Sequence, residues 1–196
     1  MKELFLDKSI TFITNQKDYS KEDIDKLRYG LEGIYLTFYK MIIILLVAFL
    51  LHILKEVLIF LIIFNIIRYP AFGFHANTSL ECLIISLICV VGIPFLLLRI
   101  DLNLYTKILI DLICVIQFIL YAPADTVKRP LPNKKKRKIR KICAIICCIL
   151  YSIISIIFNN YISDLLIAAI IVETIMINPL IYKIFKQPYR NYLNMV

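Results

Sequence analysis

The 196-residue sequence predicts an all-α, polytopic integral membrane protein with about six transmembrane or partly spanning helices and N-terminal interfacial amphipathic helices. Three observations carry this expectation. The chain is 61% hydrophobic and 19% charged, where a soluble domain is roughly half apolar and a quarter charged. Whole runs, such as MIIILLVAFLLHIL and LIISLICVVGIPFLLL, carry no charge. The excess of positive charge is also concentrated. Residues 123 to 141 hold nine basic residues and one Asp, and the tail from Lys183 adds three more basic residues. The first 122 residues balance, with eleven of each sign.

Taken in order, residues 3 to 14 and 20 to 33 are too charged to span. Ile24, Leu27, Leu31 and Ile34 recur at three- and four-residue intervals, the period of an amphipathic helix lying on a membrane surface, with a short solvated helix as the alternative. This places an interfacial region at 1–34, ahead of one transmembrane domain at 35–196. The N-terminus lacks the continuous apolar core of a signal peptide, so the first apolar segment is expected to direct insertion. Six apolar segments follow, at about 35–54, 57–69, 80–98, 104–122, 142–158 and 162–182. A span needs about 20 apolar residues. The second segment is therefore short, a half-span or a continuation of the first past Lys55 and Glu56.

An even number of segments puts both termini on one side. With that side cytoplasmic, the loop at 68–82, the basic loop at 123–141 and the basic tail all lie inside, in agreement with the positive-inside bias. The expected location is a cell membrane. Charge confined to one loop is an orientation signal, not a nucleic-acid surface. The basic loop reads as a segment held to anionic lipid, with docking of an acidic peptide as the second possibility. Cys82, Cys89, Cys114, Cys143, Cys147 and Cys148 form no C-x-x-C zinc pairing, and five of them lie in apolar runs. No metal or cofactor is expected.

One stretch breaks the apolar pattern. RYPAFGFHANTSLEC, Arg68 to Cys82, gathers a His and a Cys seven positions apart. Thr78 to Glu81 match the S/T-x-x-E capping box, so a helix is expected to start there. Cys82 then falls near a helix N-terminus, where the backbone field favours an anion. On one continuous helix, seven residues would separate His75 from Cys82 by about 10.5 Å, too far for proton transfer. Pro70 resists continuation of the preceding helix and Gly73 permits a turn, so His75 is free to fold back over the first turn. A Cys–His pair supports nucleophilic acyl transfer. Arg68 either clamps a peptide carboxylate or reaches lipid phosphate. Asp111, Gln117, Asp164 and Glu173 lie in or near the spans, and structural pairing is expected for Asp111 and Glu173. His52 reads as interfacial.

The sequence resembles the accessory gene regulator protein B family, membrane endopeptidases that process quorum-sensing peptide precursors. The resemblance rests on RYPAFGFHANTSLEC and on YAPADTVKRPLPNKKKRKIRK, which is similar to the family's Ala-Pro-x-Asp segment leading into a basic loop. It implies that Cys82 is the nucleophile and His75 the general base and acid. Gly73 matches a family glycine, whereas Phe72 stands where many members have Gly or another small residue. The implied substrate is the precursor of a cyclic signal peptide with an acidic tail. Lys134, Lys135, Lys136, Arg137 and Lys138 would hold that tail, and a homodimer is implied. A non-catalytic membrane adaptor and a peptide exporter are the alternatives. The motifs H-E-x-x-H and G-x-S-x-G of other proteases are absent.

Overall fold

The computed structural model describes residues 2–15, 19–126 and 130–195, with side chains through Leu193. Val127 to Arg129 of the expected basic loop therefore lie outside the described residues. The chain forms two compact units, Met1–Val47 and Ala48–Val196. Among the described residues the structure is helical, with an isolated bridge between Phe72 and Ala124.

In the first unit, α1 (Lys2–Thr14) lies beside the start of α2 (Lys21–Leu50). Lys2 pairs with Glu32 at 2.7 Å, Arg28 pairs with Glu3 at 2.6 Å, and the rings of Phe5 and Tyr35 meet at 5.5 Å. The sequence reading separates an interfacial helix at 20–33 from a span beginning at 35. The structure instead makes one unbroken helix of 30 residues. Gly30 and Gly33 each cost only about 1 kcal/mol in a helix interior, too little to break one that its flanks favour.

The second unit is built around α8 (Tyr161–Ile177), which has twelve buried positions, including Leu165 to Ile170 in an unbroken run. Such a helix, apolar on all sides, is a core helix. Around it pack α3 (Leu54–Ala71), α5 (Ile93–Leu97), α6 (Leu104–Tyr121) and α7 (Lys134–Ile157). The expected short segment at 57–69 is the 18-residue α3, about 27 Å long. Lys55 and Glu56 fall within its first turn and do not form a loop. The chain from α4 (Ser79–Ser86) to α5 is continuous, through a π-helical turn at Leu87–Gly92. Pro94 follows that turn. Its missing N–H and its ring oppose a regular ladder, and the wider turn relieves both. The expected segment 162–182 is divided, because α8 ends at Ile177 and α9 (Pro179–Ile184) starts anew with Asn178 as its cap.

Among the described residues, four helices are long and apolar enough to cross a membrane: α2, α6, α7 and the Ser79–Leu97 stretch. They carry exposed Leu112, Ile116 and Leu120 on α6 and Ile142, Ile146 and Ile153 on α7, faces suited to lipid rather than water. Lys107 and Asp111 of α6 are buried, as structural pairing predicts. Lys107 donates to Asn159 at 3.2 Å and Ser163 at 3.1 Å, and pairs with Asp164 at 3.5 Å. Ser155 donates to Asp111 at 3.0 Å, and Asn178 donates to Gln117 at 2.7 Å.

Candidate active site

The site is the junction where α3 ends, and local chemistry explains the ending. Pro70 sits in the last turn of α3, and Phe72 caps it in a left-handed conformation with φ +63° and ψ −131°. Gly73 continues with φ +116°, a region that L side chains rarely adopt. The chain is then stitched into place on two sides. Gly73 N–H donates to the Ala124 carbonyl at 2.8 Å, and Ala124 N–H donates to Ala71 at 2.9 Å. Phe74 N–H donates to the Met176 carbonyl at 2.8 Å, at the end of α8. A Cβ on Gly73 would stand 3.0 Å from Arg68 Nη1 and 3.1 Å from the Met176 carbonyl oxygen. Only glycine fits between them.

Arg68 holds the same turn from within. Its Nη1 donates to the Phe72 carbonyl at 3.2 Å and to Glu173 Oε2 at 3.1 Å, and its Nη2 donates to the Phe74 carbonyl at 2.7 Å. Glu173 is fully buried, so the guanidinium supplies its countercharge. Arg68 is thus a staple between α3, α8 and the turn. Its engagement with Glu173 turns it inward, away from the lipid phosphate that the sequence also allowed.

Beyond the turn, α4 begins as expected. Thr78 Oγ1 accepts from Glu81 N–H at 3.2 Å, and Glu81 Oε2 accepts from Thr78 N–H at 3.3 Å. Glu81 Oε2 also accepts from Asn77 N–H at 3.2 Å, so the cap draws in the residue before it. Cys82 is the fourth residue of α4, half-buried, and its N–H closes the first helical turn on Thr78 at 3.1 Å. His75 lies in the exposed connection two residues before Asn77. It lines a cavity of about 480 Å³ with Asn65, Arg68, Tyr69, Phe72, Pro130 and Arg140. Cys82 is not part of that wall. The cavity is edged by cationic and aromatic side chains with no carboxylate among them.

The basic segment differs from the expected loop. Asn133 caps a helix by accepting from Lys135 and Lys136 N–H groups, so the run from Lys134 onward forms the first turns of α7. The helical period sorts its charges. Lys134, Lys135, Lys136 and Lys138 are exposed, whereas Arg137 and Arg140 face the protein. Arg137 donates to the Leu131 carbonyl at 3.2 Å and stacks on Tyr192 at 3.7 Å. Arg140 donates to the Tyr69 carbonyl at 2.7 Å and stacks on Phe72 at 4.4 Å. Arg140 was not singled out from the sequence, although its three-residue spacing from Arg137 was the available signal.

Asp125 was likewise not singled out as a site residue. It is buried, and its carboxylate accepts from the N–H groups of Leu131, Asn191 and Tyr192, the last at 2.9 Å. The Asp of the Ala-Pro-x-Asp segment therefore ties the 122–131 connection to the C-terminal 3-10 helix at Asn191–Met195.

Residues 6–177 match the model of the family described as accessory gene regulator B. The accessory gene regulator protein B of Staphylococcus aureus (strain JH9) is 28% identical over 177 residues, covering 90% of this chain and 94% of the relative. A putative AgrB-like protein of Clostridium acetobutylicum is 32% identical, covering 87% and 82%. The accessory gene regulator protein B of Staphylococcus epidermidis is 29% identical, covering 80% of each. No solved structure matches the chain. The chain belongs to the accessory gene regulator B family.

Proposed function

We propose that this protein is a membrane cysteine endopeptidase that cleaves the tail from a quorum-sensing propeptide and leaves the signal segment ready for ring closure. The observation that carries the reading is the capping box at Thr78, which starts α4 so that Cys82 sits in its first turns just after His75. In the first step His75 takes the Cys82 proton, and the sulfur attacks the carbonyl carbon joining signal to tail. Collapse of the tetrahedral adduct breaks the C–N bond, and His75 returns the proton to the leaving amine. The signal segment is then a thioester on Cys82. A Cys or Ser of the same segment attacks that thioester, closes a thiolactone or lactone, and frees the Cys82 thiol.

A thioester survives for cyclisation only where water is scarce, so a site at a membrane edge suits the second step. The cavity beside His75 receives the peptide chain, and the exposed lysines of α7 receive the acidic tail. The active form is a homodimer in the cell membrane, with both termini and the catalytic loop cytoplasmic. The test uses purified, reconstituted protein and a synthetic precursor. Cys82→Ala should lose cleavage, while Ala at each of the other five cysteines should retain most of it. Full cleavage by Cys82→Ala would overturn the mechanism.

A further inference from the structure

The segment after α8 takes no part in the chemistry above, yet it reaches the His75 connection directly. Gln187 Nε2 donates to the His75 carbonyl at 2.6 Å and to Asn77 Oδ1 at 2.9 Å. Both N–H bonds of one amide are thereby spent on residues two apart in the chain, closing 75–77 into an arc. Gln187 is itself fixed, since its backbone N–H donates to the Tyr182 carbonyl at 2.8 Å. Lys186 and Arg190 flank it with φ +51° and +57°, values uncommon for residues other than glycine. Such conformations persist only where surrounding contacts impose them.

Those contacts are present. Phe185 packs on Phe74 at 4.7 Å, and Tyr182 meets Phe74 edge-on at 6.0 Å. Tyr182 Oη donates to the Ala124 carbonyl at 3.2 Å, and Tyr189 Oη donates to Tyr121 at 3.3 Å. Asn191 and Tyr192 then anchor on buried Asp125. These tethers end on the His75 connection or on the 121–126 segment that the turn at Gly73 is bonded to, while Asn178 and Tyr192 also reach Gln117 of α6 and Arg137 of α7.

We propose that residues 178–193 form a clasp that sets the geometry of the His75 loop, with Gln187 as its positioning residue. The inference rests on the assignment of His75 and Cys82 made above. Gln187 acts through the main chain of His75 and through Asn77, which shares the Glu81 cap with Thr78. Holding both fixes the imidazole's starting point against the first turn of α4. Loss of the amide leaves the loop attached at Phe74 and, through Glu81, at Asn77 and Thr78, but removes the bond on the His75 carbonyl between them.

The experiment compares Gln187→Ala and Gln187→Glu with His75→Ala in full-length protein in vesicles. Gln187→Glu keeps the size but replaces two donors by a carboxylate facing two oxygen acceptors, so it should be the worse of the two. Since displacement of a catalytic group by about 1 Å can cost 100-fold, kcat should fall about tenfold or more in Gln187→Ala, with KM changed less than about twofold. The second readout is iodoacetamide labelling at neutral pH, resolved cysteine by cysteine by mass spectrometry. Cys82 labelling should slow in Gln187→Ala, as in His75→Ala, while exposed Cys143 labels at its original rate. A merely structural role would instead speed labelling at buried Cys89 and Cys148. That result, or an unchanged kcat in Gln187→Ala beside an inactive His75→Ala, overturns the clasp and leaves the catalytic pair standing. An active His75→Ala with unchanged Cys82 labelling overturns both.

Discussion

Replacing Gly73 by Ala adds one methyl group where three atoms already crowd. The new Cβ would lie 3.0 Å from Arg68 Nη1, 3.1 Å from Met176 O and 3.2 Å from Met176 C. Two of these are backbone of the core helix, and the third is held by Glu173, so none yields freely. If the turn stays in place, an L residue at φ +116° costs about 1–3 kcal/mol and the crowding a further 1–3 kcal/mol. If it moves, the bonds from Gly73 to Ala124 and from Phe74 to Met176 are lost, at about 1 kcal/mol each, and Arg68 loses its two carbonyl acceptors. Either route gives about 3 kcal/mol, roughly a 100-fold loss of the competent loop conformation. Precursor cleavage by reconstituted Gly73→Ala should fall by about that factor. The bundle of α3, α6, α7 and α8 should keep its helical content, as measured by circular dichroism. Cleavage within twofold of the parent protein would refute the reasoning, because it would mean that the turn has room the structure denies it.

Arg68→Ala should destabilise the protein by about 3–5 kcal/mol, because it strands Glu173 without a countercharge. Adding Glu173→Gln should recover stability in thermal unfolding but not activity, since Phe72 and Phe74 still lack their donor. Neutralising Lys134, Lys135, Lys136 and Lys138 together to Gln should raise KM for an acidic-tailed precursor at low salt. The effect should shrink at 0.1 M salt and above, where charges beyond about 10 Å are screened; an unchanged KM at low salt in correctly inserted protein rules tail docking out. Single-cysteine labelling should place residues 70–80 and 134–140 on the cytoplasmic side and residues 101–103 and 159–161 outside. External labelling of the basic segment would contradict the orientation.

The features legible in the sequence are those decided within a few residues. The capping box at Thr78 needs only four, and the structure has it as expected. The run at 104–122 gives α6 almost to the residue, because apolar length and flanking polar residues define a span locally. The membrane-spanning helical class follows from composition alone. What escaped depends on balance or on distance. At Lys21–Leu50 the charged half and the apolar half differ in environment but share one helical period, so the change in composition looked like a boundary. At Lys134 the basic run is read as part of the loop at 123–141, but the Asn133 cap starts a helix there. Phe72 at positive φ was visible only as a departure from the small residue that the family resemblance implies there. Gln187 was not legible, because its partner His75 lies 112 positions away in the chain. Asp125 carries its role through backbone N–H groups of residues 191 and 192, which no local motif announces.

The central claim, an acyl-enzyme on Cys82, is tested most directly by rapid quenching into acid during a single turnover with a synthetic precursor. Intact-mass and peptide mapping would then be done on the quenched protein. The account predicts a transient adduct with the mass of the precursor minus its tail. It should map to the peptide containing Cys82, be cleaved by hydroxylamine, and be absent in Cys82→Ala. Tail release at the full rate with no adduct, or an adduct on any of the other five cysteines, would contradict it.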